Sequence, residues 1–259
     1  MPSLLATWLQ ALPLLLVAAG LTWALSVALR NVTVVDTLWS LLFVLAAFSY
    51  ARSTAPAEPR TMLLLALVTL WGLRLAVHLG RRTFGHEEDR RYQAIRHRND
   101  PGFAWKSLYL VFGMQAVLAW IISLPLLGGI AGDPRPLGGL DWLGAGVWLS
   151  GWLLESIGDW QLARFKADPA SAGQVMDRGL WRYTRHPNYF GDFCVWWGFY
   201  LIALGAGAWW SIAGPVIMTV LLLRVSGVAL LERDIGTRRP GYAEYVRRTN
   251  AFWPGPPKR

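Results

Sequence analysis

Eight ionisable residues stand where such groups are costly. Asp36, Arg74, His78, Glu155, Asp159, Asp192, Arg224 and Glu232 lie inside long apolar runs or at their ends. A charge within a bilayer is expensive and usually marks a pathway or a site. Their spacing groups them: Glu155 with Asp159, and Asn188 with Asp192, are four residues apart and share a helix face, while Arg224 leads through Val228 to Glu232. Between them runs Gly179-Leu-Trp-Arg-Tyr-Thr-Arg-His-Pro-Asn-Tyr-Phe-Gly-Asp192. Pro187 suits a first helical turn, which presents unpaired N–H groups and the positive end of the helix dipole beside Arg182, Arg185 and His186. Arginine forks onto phosphate, so this segment is a candidate anion cradle at a membrane surface. The same residues also allow a plainer reading, interhelical salt bridges and a basic loop against lipid headgroups.

Seven apolar stretches must position these groups, near 4–29, 34–50, 61–80, 107–128, 140–161, 190–206 and 209–231. A transmembrane helix needs about 20 mostly apolar residues. The second and sixth stretches are short, so tilt or local thinning must absorb the mismatch. The expected fold is therefore an all-α integral membrane protein with seven transmembrane helices, built as one polytopic domain over residues 1–259. The first stretch lacks a basic leader and is expected to remain as a span. The links after the first, third, fifth and seventh spans hold 20 of the 25 Lys and Arg residues, against 3 in the opposite links. Basic links face the cytoplasm, which puts the N-terminus outside and the C-terminus inside. All eight ionisable residues then fall in the cytoplasmic half. That pattern describes a pocket open to the cytoplasm and apolar at depth, and not an ion pathway, which needs polar groups throughout.

Composition excludes several classes. Hydrophobic residues make up 54% and charged residues 16% of the 259-residue chain, too few charges for an ordinary soluble domain. The net charge of +9 is accounted for by topology and calls for no nucleic acid. A single cysteine, Cys194, permits neither an internal disulfide nor a thiolate zinc cluster. His78, His86 and His97 lack metal-ligand spacing, so no metal is expected. No Gly-x-Gly-x-x-Gly turn is present, which excludes a Rossmann site for any dinucleotide.

Arg185-His-Pro-Asn-Tyr-Phe-Gly-Asp192 resembles the signature of membrane-embedded steroid and sterol reductases, and a related Arg-His-Pro-x-Tyr pattern occurs in isoprenylcysteine and phospholipid methyltransferases. Glu155-Ser-Ile-Gly-Asp159-Trp-Gln with Phe165-Lys166, Leu231-Glu-Arg-Asp, Tyr242-x-x-Tyr245 and Phe252-x-Pro254 are similar to the reductase side. Val35-Asp-Thr-Leu-Trp39, Trp71-Gly-Leu-Arg74-Leu and Glu88-Asp-Arg-Arg-Tyr92 resemble bacterial members of the steroid 5α-reductase-like family. The likeness is strongest over residues 150–254.

The resemblance implies an oxidoreductase of a bacterial inner membrane, with its cofactor site facing the cytoplasm. It would use NADPH to reduce the double bond of an α,β-unsaturated ketone, such as a 3-oxo-Δ4-steroid or similar lipid entering from the bilayer. By the same resemblance Asp159, Asn188, Asp192, Arg224 and Glu232 match positions around the nicotinamide and ribose. Lys166, Arg182, Tyr183 and Arg185 would lie nearer the phosphates, with Arg91 a further phosphate contact. The carbonyl-activating Glu and Tyr of the animal enzymes have no direct match. Asp36 stands in as a neutral acid, or else as a salt-bridge partner of Arg74, and Trp39 is a candidate pocket wall. The main alternative is an S-adenosylmethionine-dependent lipid or isoprenylcysteine methyltransferase, and a further one is a lipid-binding or transport protein.

Overall fold

Each of the seven apolar stretches is helical across its described residues. In the computed structural model, which describes residues 3–54, 58–132, 134, 136–225, 239 and 241–258, α1 spans Leu4–Leu29, α2 Val34–Ser53, α3 Pro59–Thr83 and the short α4 Arg90–Asn99. Helix α5 (Phe103–Ser107) passes through a π-helical segment (Leu108–Gly113) into α6 (Met114–Ile122), and α7 (Leu124–Ala131) follows after Ser123. The 29-residue α8 covers Gly139–Ala167. Then come α9 (Pro187–Gly205), α10 (Ala213–Val220) with its π-helical extension Leu221–Val225, and α11 (Tyr242–Arg248). No strand occurs among the described residues.

Four of these helices are long and apolar enough to cross a bilayer: Leu4–Leu29, Val34–Ser53, Pro59–Thr83 and Phe103–Ile122. Helix α8 has the length but carries Asp141, Glu155, Asp159, Arg164 and Lys166. The stretch Trp209–Val225 is apolar but shorter.

Backbone packing divides the chain into two compact units. Unit 1 comprises Met1–Gly138 with Ala203–Ser211, and unit 2 comprises Gly139–Ile202 with Ile212–Arg259.

In unit 1, α1 is apolar all round but buries only a narrow row of small and medium residues, Thr7, Ala11, Leu15, Ala19 and Ser26. Leu5, Leu9, Val17 and Leu21 are exposed, the surface a lipid-facing helix presents. Trp8 and Trp120 stack at 3.8 Å and each donates its indole N–H to the other's backbone carbonyl, at 3.3 and 2.8 Å. Helices α2 and α3 approach closely at Gly72. A Cβ there would sit 2.6 Å from the Val44 side chain, and Ser40 donates to the Gly72 carbonyl at 2.8 Å.

Unit 2 is organised by glycines seven residues apart. Gly144, Gly151 and Gly158 form one row on α8, and Gly191 and Gly198 form another on α9. A Cβ on Gly144 would lie 2.7 Å from the Gly198 carbonyl oxygen, and one on Gly151 would lie 2.5 Å from the Gly191 carbonyl oxygen. Lower down, Gly158 faces Pro187 and Asn188. The antiparallel helices therefore touch backbone to backbone, the contact that small residues permit between membrane helices. Replacing Gly191 by Ala should overpack this contact and cost at least about 2 kcal/mol, whereas Gly146→Ala, which meets nothing within 4 Å, should cost nothing. Melting curves in detergent read the difference; equal curves for the two variants would mean the helices can part without penalty.

Candidate functional site

The close approach of α8 and α9 brings together the polar residues four apart on each helix. Glu155, Asp159 and Asp192 are all buried, with 3%, 7% and 9% of their surface exposed. Asn188, in the first turn of α9, donates its amide N–H to Asp159 Oδ1 at 3.0 Å. Glu155 abuts Gly191, the neighbour of Asp192, through its own backbone N and Cβ. Three carboxylates and an amide thus gather at the start of α9, each i,i+4 pair on one face of its own helix. Buried carboxylates require donors, and the Asn188 amide supplies one to Asp159.

The Arg-His-Pro segment reaches this point as a strap. The Trp181 indole donates to the Gly158 carbonyl at 3.1 Å, and the Leu180 N–H donates to Gln161 Oε1 at 3.0 Å, which fastens the 179–182 turn to α8. On its other side the strap is held by the C-terminal tail. The Tyr245 hydroxyl donates to the Trp181 carbonyl at 2.5 Å, and Thr184 Oγ1 donates to the Phe252 carbonyl at 2.9 Å. Gly255 N–H donates to the Tyr183 carbonyl at 3.1 Å. Phe252 and Trp253 then pack edge-on against Phe190 and Phe193 of α9, with ring centres 5.3–5.7 Å apart.

Arg185 has a different task from the phosphate contact the sequence suggests. Its guanidinium is buried and donates to the Thr249 carbonyl at 2.8 Å and the Val246 carbonyl at 3.3 Å, while its own N–H donates to the Asn250 carbonyl at 2.9 Å. It caps the end of α11, whose last carbonyls would otherwise lack partners. His186 is also buried and stacks on Tyr189 at 5.6 Å. Arg182 and Tyr183 stay exposed on the strap, Lys166 in the last turn of α8, and Arg224 on the π-helical segment after α10. Glu232 lies outside the described residues.

Asp36, Trp39 and Arg91 belong to unit 1. Asp36 opens α2, and both its oxygens accept hydrogen bonds: Oδ2 from Arg91 at 2.7 Å and Oδ1 from the Tyr92 hydroxyl at 2.5 Å. In this network Asp36 accepts, and Arg91 is a cationic partner. Arg91 is itself engaged twice. Its guanidinium is shared between Asp36 and Asp89, and the two carboxylates outweigh burial and strengthen its hold on the proton. Tyr92 is 6% exposed. Burial first, and then the charge of Asp36, raise its phenol well above the usual range. Gln115 of α6 donates to the Tyr92 oxygen at 3.4 Å. Beside them Arg96 forks onto Glu88 at 2.7 and 2.9 Å; although burial opposes ionisation, these bonds and the Val32 N–H hold that carboxyl below its ordinary value. Trp39 is half-buried and meets Phe43 edge-on at 5.1 Å. The cleft beside Asp36, lined by Thr33, Arg82, Glu87 and Asp89 among others, holds about 70 Å³, room for waters but not for a dinucleotide.

Sequence reasoning overlooked Tyr92 as the partner of Asp36, although it closes the Glu88-Asp-Arg-Arg-Tyr92 motif. It also overlooked the glycine rows, whose seven-residue spacing is visible in the chain. No group of three or more His, Cys, Asp or Glu side chains arranged for a metal occurs among the described residues.

The fold and the site define a helical protein with apolar helices of membrane-spanning length and a buried carboxylate–amide cluster. The chain belongs to the family DUF1295, described as a protein of unknown function, which it matches over residues 22–249; that family includes steroid 5α-reductase-like proteins. It is similar to the uncharacterized protein C594.04c of Schizosaccharomyces pombe, 27% identical over 269 aligned positions that cover 92% of this chain and 77% of the yeast protein. No solved structure matches it.

Removing the Arg185 cap should release the tail before it affects the helices. In Arg185→Ala, trypsin should cut at Arg247 or Arg248 at least about tenfold faster, because cleavage there tracks local opening, and Arg185→Lys should not restore protection since a point charge cannot hold several carbonyls in a fixed fork. Unchanged cleavage in Arg185→Ala would show that the tail is held without it.

Proposed function

We propose that this protein is an NADPH-dependent reductase of the carbon–carbon double bond of α,β-unsaturated ketones, with a 3-oxo-Δ4-steroid or a similar lipid as substrate. The observation that carries the reading is the buried Asp159–Asn188 pair, set with Glu155 and Asp192 beneath a strap that exposes Arg182 and Tyr183. Carboxylates and an amide suit the hydroxyls of a ribose and the carboxamide of a nicotinamide. Arg182, Lys166 and Arg224 suit the phosphates and the charge that accompanies them. Arg185 acts one step back, by holding the strap in place.

NADPH supplies a hydride when bound; hydride adds to the β carbon of the enone, the electrons of the double bond move onto the carbonyl oxygen, and a proton is then taken up at the α carbon. The developing enolate needs a hydrogen-bond donor. The charge bias of the links supports seven spans in a bacterial inner membrane, the N-terminus outside and both the C-terminus and the cofactor site on the cytoplasmic side.

Asn188→Ala and Arg224→Ala should weaken NADPH binding at least about tenfold, roughly 1.4 kcal/mol, which calorimetric titration measures. Binding of S-adenosylmethionine without binding of NADPH would replace this reading with the methyltransferase one.

A further inference from the structure

Helix α4 is short and polar, and of its ten residues only Tyr92 is buried. It stands where the four helices of spanning length, all in unit 1, come to one end. Near the end of α1, the Trp23 indole donates to the Ala104 carbonyl of α5 at 2.8 Å, and Asn31 donates to the His86 carbonyl at 3.1 Å. Asp36 in the first turn of α2 receives Arg91 and Tyr92 of α4. Leu79, Arg82 and Thr83 at the end of α3 share the small cleft beside Asp36. Arg96 lies over the ring of Phe103, which begins α5, at 4.7 Å. Apolar helices of spanning length that share an end meet the same bilayer surface, and α4 lies at that surface.

The charges around α4 sort into two groups. The link 81–106 holds seven Lys and Arg residues against four Asp and Glu, so its own carboxylates cannot neutralise it. Arg91 is taken by Asp36 and Asp89, and Arg96 by Glu88. Arg90 and Arg98 are exposed and pair with no carboxylate among the described residues. With Ala94 and His97 they form one exposed face of α4, in the i, i+4, i+7, i+8 order of a single helix side. The two arginines stand about 12 Å apart along the axis.

An aromatic border adjoins this face. Gly102, at φ 87°, turns the chain from α4 into α5, and Lys106 donates to the Asn99 carbonyl at 2.9 Å across that corner. Trp105, on the corner, is 70% exposed and packs on Trp23 of α1 with ring centres 5.0 Å apart. Tyr109, one turn further along, is exposed too, as are Leu21, Leu25 and Leu29 of α1. Unpaired guanidiniums beside amphipathic rings, at the edge of an apolar surface, match a phospholipid headgroup layer. A soluble anion has no use for the rings or the leucines. A zwitterionic headgroup brings a cation of its own, so the surplus positive charge favours a headgroup with net negative charge.

We propose that the outer face of α4 and its corner with α5 form a binding surface for anionic phospholipids. Arg90 and Arg98 each take a headgroup phosphate, and Trp105 sits beside the glycerol of the lipid at Arg98. The lipids supply the counter-charge that the link lacks, and they hold α4 from the bilayer side while Asp36 holds it from the protein side. The proposal stands on unit 1 alone and does not rest on the reductase reading.

The test uses the full-length protein in phosphatidylcholine nanodiscs, with dibrominated phosphatidylglycerol or dibrominated phosphatidylcholine as the minor lipid. Bromine quenches nearby tryptophan, and the part of the quenching that Trp105→Phe removes, measured in each background, reports lipid beside Trp105. By that signal the wild type should enrich phosphatidylglycerol over phosphatidylcholine at least about fivefold, the scale of one basic side chain at an anionic surface. Arg90→Gln combined with Arg98→Gln should bring the enrichment below about twofold. Arg90→Lys combined with Arg98→Lys keeps the charge and should retain most of it. Arg52→Gln, which removes an exposed arginine at the far end of α2, should change nothing. High salt should weaken the wild-type enrichment. Equal quenching by the two lipids in the wild type overturns the proposal. So does enrichment that survives the paired glutamine variant, vanishes in the lysine one, or falls as far in Arg52→Gln. Soluble glycerol phosphate that displaces the brominated lipid at equal concentration would mark a site for free phosphate and overturn it as well.

Discussion

The backbone contact between α8 and α9 is the constraint on which unit 2 depends. A Cβ at Gly151 or Gly191 would intrude to 2.5 Å on a carbonyl oxygen or an amide nitrogen of the opposite helix. Because no side chain intervenes, Asn188 on one helix reaches Asp159 on the other within a single hydrogen bond of 3.0 Å. Larger residues in the two glycine rows would hold the axes further apart, and the carboxylates would then face packing instead of each other's polar neighbours. The same contact gives the strap its footing, since Trp181 donates to the carbonyl of Gly158, the last glycine of the row. The tail in turn rests on the strap. Geometry at the candidate site therefore passes outward from glycine to carboxylate to arginine.

Buried charge follows one rule in both units. Every carboxylate that leaves water must be given donors, and the partner chosen decides what each residue can do. Arg91 and Arg185 look alike in sequence, as cytoplasmic arginines suited to phosphate. Arg91 is consumed by Asp36 and Asp89, and Arg185 by the carbonyls that end α11. Arg182 on the strap and Arg224 after α10 stay at the surface instead. Asp36 shows the same rule from the carboxylate's side, with Arg91 and Tyr92 each donating to one of its oxygens.

The class of fold was legible from the chain. Long apolar runs and the few charges at their ends place the helices to within a few residues, because the demand for internally satisfied backbone leaves little else for a lipid-facing segment to do. Spacing showed only that Glu155 and Asp159 share one helix face and Asn188 and Asp192 another; that Asp159 and Asn188 belong together came from the family resemblance. What escaped were contacts between residues far apart in sequence. Nothing local in Arg185 announces that residues 246–250 will fold back to take its donors. Nothing in Tyr92 points to a carboxylate 56 positions earlier. The glycine rows were readable in principle, but their period carries meaning only once two helices are known to be neighbours.

The central claim is that a hydride passes from a dihydronicotinamide to the β carbon of an enone on this protein. Its most direct test is to incubate the purified protein in nanodiscs with a 3-oxo-Δ4-steroid and NADPH carrying deuterium at both C4 positions, then locate the label by mass spectrometry and NMR. The account predicts one deuterium at the β carbon, C5, of the saturated ketone and none at C4, which takes its proton from solvent. Saturated product without deuterium at C5 would contradict it, as would an unchanged steroid under conditions where the protein is folded and NADPH is bound.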